Sequence, residues 1–76
     1  MTGTAHAELD LRGVRCPLSW AKAKVRLETL CRGDQLALVV DDPQGARDIP
    51  RAAEAAGHQV LQVAAEPGRW TITIEV

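Results

Sequence analysis

The chain is expected to fold as a two-layer α/β sandwich, with elements in the order βαβαββ and both helices on one face of a sheet. Two alternations carry that expectation. Leu9-Asp10-Leu11-Arg12 and Arg69 to Val76 both run with a period of two, the mark of strands with one dry and one wet face. Between them lie two stretches of helical spacing, each opened by a proline and closed near a glycine. A chain of 76 residues holds one domain with a thin core, burying only about 60% of the surface it exposes when unfolded. Phe and Tyr are absent and the only aromatics are Trp20 and Trp70, so aliphatic side chains must fill the interior. A deep pocket for a large cofactor would consume that core, and none is expected.

Residues 1–7 are expected to form a flexible tail and residues 8–76 the single domain. The first strand spans residues 8–12, with Leu9 and Leu11 inward. The first helix spans residues 17–31. Its apolar face is Trp20, Ala23, Leu27 and Leu30, with Cys31 adjoining, while Lys22, Arg26 and Thr29 face water. Trp20 is open to two readings, a core residue or an exposed wall for a partner. Arg32-Gly33-Asp34 ends the helix, with Gly33 suited to a left-handed cap. Residues 35–40 form an apolar interior strand. Asp42 then caps the second helix and Pro43 occupies its first position. Pro50 cannot donate to an earlier carbonyl, so this helix either kinks or divides into two segments before Gly57. Residues 59–65 and 69–76 form a hairpin across the Pro67-Gly68 turn. Strands one and two run parallel through a helical crossover, strands three and four antiparallel, and right-handed crossovers put both helices on one face.

The residue most suited to chemistry is Cys16. It joins the first strand to the first helix, where Pro17 suits the first turn because its missing N–H would find no partner there. Unpaired N–H groups and the positive end of the helix dipole favour a thiolate at that position. Six basic residues (Arg12, Arg15, Lys22, Lys24, Arg26, Arg32) and one acid, Glu28, lie between residues 12 and 32. This basic zone would favour an anion and acidic partner surfaces, although a solvated helix face is the plainer reading of such a run. Cys31, at the other end of the helix and on its apolar side, is expected to be buried and inert. A helix between the two thiols holds them roughly 20 Å apart, beyond the ~7 Å that a disulfide spans. No histidine or cysteine spacing resembles a metal site, and no metal or cofactor is expected. The net charge of −1 argues against nucleic-acid binding driven by bulk charge. Without a leader-like N-terminus or an apolar run of membrane length, a cytoplasmic setting is expected.

The stretch Leu9-Asp10-Leu11-Arg12-Gly13-Val14-Arg15-Cys16-Pro17-Leu18 resembles the strand, loop and Cys-Pro motif of the TusA (SirA-like) sulfur carriers. Lys22-Ala23-Lys24, Asp42-Pro43, Asp48-Ile49-Pro50 and Gly57-His58 resemble later landmarks of that family, so the likeness spans about residues 8–76. The resemblance implies a four-stranded mixed sheet with the fourth strand between the second and third. It also implies a carrier and sulfurtransferase whose motif cysteine, here Cys16, takes up sulfane sulfur as a persulfide and hands it on. Pro17 and Arg15 would support the thiolate or persulfide, and Arg12, Lys22 and Arg26 would meet partners. Those partners would be a donor (a cysteine desulfurase or rhodanese-like protein) and an acceptor in tRNA thiolation or another sulfur pathway, the carrier itself acting as a monomer. A regulatory or redox-sensing module on the same fold and an RNA-contacting domain are the competing classes. The family motif is Cys-Pro-x-Pro, whereas Ser19 stands here in place of the second proline. A proline at position 19 is expected to cost no helical hydrogen bond and to be tolerated.

Overall fold

The computed structural model describes residues 6–15 and 17–76. Its elements are β1 (His6–Asp10), α1 (Leu18–Leu27), β2 (Gln35–Val40), α2 (Pro43–Ala55), β3 (Gln59–Glu66) and β4 (Arg69–Glu75). The βαβαββ order is the expected one. The strands form one sheet in the order β1-β2-β4-β3, so the last strand is inserted between the second and third. β1 lies parallel to β2, and β4 runs antiparallel to both β2 and β3.

Registration puts the apolar side chains in rows across the helix-covered face. Leu9, Leu38, Ile72 and Val63 form one row, and Ala7, Leu36, Ile74 and Val60 the next. The middle members of each row are wholly buried, together with Val40. Ala23 and Leu27 of α1, Ile49 and Ala53 of α2, and Leu11 complete the core. On the opposite face Ala37, Val39, Thr71 and Thr73 are only half-buried. The sheet thus has one dry and one wet face, as the strand alternation predicts.

β1 begins at His6 and ends at Asp10, earlier at both ends than expected, so His6 and Ala7 belong to the sheet. Residues 1–5 lie outside the described residues. The strand stops because the Asp10 side chain bonds to Arg12, two residues further along the chain. Its carboxylate accepts the Arg12 backbone N–H at 3.0 Å and two guanidinium bonds from Arg12, at 2.9 and 2.8 Å. Leu11 still donates to the Val39 carbonyl at 2.7 Å and is buried beyond the end of the strand.

α1 is shorter than its periodicity predicts, ending at Leu27 rather than at residue 31. The Thr29 hydroxyl and N–H both donate to the Arg26 carbonyl, at 2.7 and 3.0 Å, tightening the turn. Asp34 then accepts the Cys31 N–H at 2.9 Å, removing the donor that another helical turn would need. Cys31 is therefore exposed, not buried in the core as expected. Gly33 takes the left-handed conformation (φ 93°) and donates to the Val76 carbonyl at 2.8 Å.

α2 is a single helix with Pro50 inside it, not two segments. Asp42 caps it by accepting the Gln44 N–H at 3.1 Å, and Pro43 opens it as expected. Ile49 and Ala53, on either side of the proline in sequence, are both fully buried, and their packing carries the helix past the missing donor. Where α2 meets α1, the buried Gly45 leaves room for Ser19: a Cβ at position 45 would stand 3.4 Å from the Ser19 Oγ. Ser19 is itself wholly buried, and its hydroxyl has no hydrogen-bond partner among the described residues.

Two consequences are measurable. A buried, unmatched hydroxyl costs about 1–3 kcal/mol. Ser19→Ala should therefore stabilise the fold by about 1 kcal/mol and raise the melting temperature by about 4–8 °C. A lower melting temperature would show that the hydroxyl has a partner in solution. The second concerns Asp10, whose carboxyl is held at about 2, below its usual 3.8, chiefly by the Arg12 side-chain bond and then by the Arg12 N–H. A depressed folded pKa contributes stability above the unfolded value that is lost as the pH falls through about 2. An NMR titration of Asp10 should find its midpoint near 2, and Arg12→Ala should return it towards the ordinary carboxylate range.

Candidate functional site around the loop from β1 to α1

Cys16 lies outside the described residues, whereas its chain neighbours on both sides are placed. Before it, Gly13 adopts φ 83° and donates its N–H to the Asp41 carboxylate at 2.9 Å. A side chain at that φ would be strained, so the turn that sets the direction of the loop depends on glycine. Val14 donates to the Leu11 carbonyl at 3.1 Å and packs against the core, leaving Arg15 exposed. The loop is thus tied at one end to the junction of β2 and α2.

After it, Pro17 is the N-cap of α1 (φ −89°, ψ −1°) rather than a residue inside the first turn. Its carbonyl accepts the Ala21 N–H at 3.1 Å, and no side chain among the described residues caps the helix. The first turn contains no acidic residue, so no carboxylate opposes the positive end of the helix dipole there. Ser19 donates its N–H to the Arg15 carbonyl at 3.0 Å. A proline at position 19 would forfeit that bond, contrary to the expectation that none would be lost.

The basic residues named from the sequence separate into two groups. Arg12 is held by Asp10, and the pairing with Asp10 also raises the guanidinium pKa. Lys22 and Arg26 are exposed on α1 and form no ion pair among the described residues. Arg15 lines a cleft with Gly13, Asp41, Asp42, Pro43 and Gln44, between the loop and the start of α2. Trp20 is half-buried and packs against the core. Among the described residues, no three His, Cys, Asp or Glu side chains are grouped as a metal ion would require.

Three features of this region go beyond what the sequence leads one to expect. Asp41, just past the end of β2, anchors the loop across 28 residues of chain. Nothing in local spacing signals such a contact. The Ser19–Gly45 approach likewise needs both helices in place. Leu18 is 56% exposed, immediately after the Cys-Pro pair. Its apolar character on the outer side of the helix was the available signal.

Residues 7–76 match the family model described as sulfurtransferase TusA. A relative from Archaeoglobus fulgidus is 36% identical over 72 residues, spanning 93% of this chain and 82% of its own. The sulfur carrier protein TusA of Pseudomonas putida is 33% identical over 67 residues, spanning 88% and 84%. The crystal structure of a SirA-like protein from Desulfitobacterium hafniense superposes with a TM-score of 0.80 at 25% identity, over 92% of this chain and 96% of that one. With its β1–loop–α1 landmarks, its inserted fourth strand and a match over nearly its full length, the chain belongs to the TusA family of sulfurtransferases.

Proposed function

We propose that this protein is a sulfur carrier in which Cys16 accepts sulfane sulfur as a persulfide and relays it to an acceptor protein. The observation that carries this reading is the placement of the Cys-Pro pair in the sequence. Pro17 caps a helix whose first turn has no acid, in a chain that matches the family from residue 7 to residue 76. Helix N–H groups and the dipole favour negative charge beside Pro17, as a thiolate or a persulfide anion carries. Arg15 adds a cation next to the motif. Lys22 and Arg26, with Arg12 in its pair with Asp10, form the basic surface for partners.

Transfer needs no outside oxidant. The Cys16 thiolate attacks the outer sulfur of a donor persulfide, a new S–S bond forms, and the old one breaks with its electron pair leaving on the donor thiolate. In the second half, an acceptor thiolate attacks the outer sulfur on Cys16 and the carrier regains its thiolate. A cysteine desulfurase or rhodanese-like protein would be the donor. The acceptor would act in tRNA thiolation or another sulfur-trafficking route in the cytoplasm. The carrier would meet each partner in turn as a monomer, with the enzyme activity of a sulfurtransferase shared between carrier and partner. No helix of the described residues is long and apolar enough to cross a membrane.

Incubation with a persulfide donor should add one sulfur to the Cys16 peptide, removable by reductant, as read by mass spectrometry. Cys16→Ser should lose the sulfur and keep its fold, while Cys31→Ser should load normally despite the exposure of that thiol. Loading retained in Cys16→Ser, or lost in Cys31→Ser, would overturn the assignment. Transfer from the loaded carrier to its acceptor should slow as salt rises, because exposed charges are screened within about 10 Å at 0.1 M ionic strength.

A further inference from the structure

The sheet has two edges, and they are finished differently. β3 carries an irregularity between Val60 and Gln62 that displaces Leu61 from the ladder, a device that blunts an edge against further pairing. β1 is paired without interruption from His6 to Asp10 and has nothing on its outer side among the described residues. Leu11 donates inward to Val39. The period of two then directs the peptide groups of Leu9 and Ala7 towards β2, and those of His6, Glu8 and Asp10 away from the sheet.

Beside this open edge lies a shallow groove between β1 and α1, lined by Leu9, Ala21, Lys22, Val25, Arg26 and Thr29. Val25 is 64% exposed there. Residues 18, 21, 22, 25 and 26 share one helical stripe, which starts at the exposed Leu18 and so directly follows the Cys-Pro pair, with Thr29 in the turn just beyond it. Lys22 and Arg26 border the apolar floor with no counter-ion among the described residues.

We infer that the β1 edge and this groove form a docking site for an extended acidic segment of a partner protein, added to the sheet as a fifth strand. Backbone bonds to Glu8 would hold the segment. Alternate apolar side chains would fall on Leu9, Ala21 and Val25, and its flanking carboxylates would meet Lys22 and Arg26. A second copy of this chain fits poorly. Pairing β1 with itself about a two-fold axis would bring Glu8 and Asp10 of the two chains together, and the two basic stripes as well. The inference rests on the reading of the protein as a carrier that meets partners, and it extends the contact surface from Cys16 along α1 to the sheet edge.

The test is an NMR titration of the full chain with a synthetic peptide of alternating valine and threonine, with glutamate at both ends on the valine face. Amide shifts should map to His6, Glu8, Asp10 and the α1 stripe, with slowed exchange at Glu8. Binding should weaken about tenfold in Lys22→Glu with Arg26→Glu, and equally when lysine replaces the peptide's glutamates. N-methylation of the peptide nitrogens facing β1 should abolish it, whereas Cys16→Ser should leave it intact. No binding, shifts confined to β3 or to the cleft at Arg15, or dimerisation of the free protein through β1 would overturn the inference. Sulfur loading without peptide binding would reject the docking edge alone. Peptide binding without sulfur loading would reject the carrier reading and keep the edge as a binding site.

Discussion

The pairing of β2 with β4 is the contact on which the rest of the molecule depends. Leu36 opposite Ile74 and Leu38 opposite Ile72 bring four fully buried aliphatic side chains together at the centre of the sheet. With no Phe or Tyr to bridge gaps, both helices must come close enough for small side chains to fill the space. Ala23 of α1 and Ala53 of α2 meet that need, and Gly45 faces Ser19 where the two helices meet. The pairing is also non-local, since β4 returns to β2 only after α2 and β3 are made. β4 thereby supplies the buried Ile72 and Ile74 that complete the face beneath both helices.

The candidate site inherits its geometry from this arrangement. Its loop leaves β1 at one end of the sheet, is fastened by Asp41 just past the end of β2, and delivers Pro17 to the start of α1. Charge is distributed along the same path. Arg12 is neutralised locally by Asp10, whereas Arg15, Lys22 and Arg26 remain exposed. In the proposed carrier, anion stabilisation at the helix start and recognition along the helix would draw on different residues, so mutation of one set need not disturb the other.

Much of the fold was legible in the amino-acid order because the signals were local. β2 runs over the residues its apolar stretch marks, Asp42-Pro43 opens α2, and Gly57 ends it in a left-handed conformation with His58 donating back to Ala53 at 2.9 Å. The failures came where side chains compete for backbone groups. Leu30 and Cys31 continue the apolar period of α1, but Thr29 and Asp34 take the hydrogen bonds that the helix would need. At Pro50 local order left a kinked helix or two segments open, and the burial of Ile49 and Ala53, which outweighs a single missing donor, decides for one helix. The tie from Gly13 to Asp41 and the contact of Ser19 with Gly45 join distant segments, and neither leaves a trace in local periods or caps.

The close approach at Ser19 has a consequence for how position 19 of this chain can change. Positions 19 and 45 face each other: a methyl at 45 would just reach van der Waals contact with the Ser19 hydroxyl at 3.4 Å, so any larger group at either position would press on the other. The second proline of Cys-Pro-x-Pro is therefore not an independent character of the loop. In this chain its effect would be conditional on the residue that α2 presents opposite, which is epistasis between two helices. A motif that reads as four consecutive letters is, in three dimensions, at least five, with the fifth lying 26 residues downstream of Ser19.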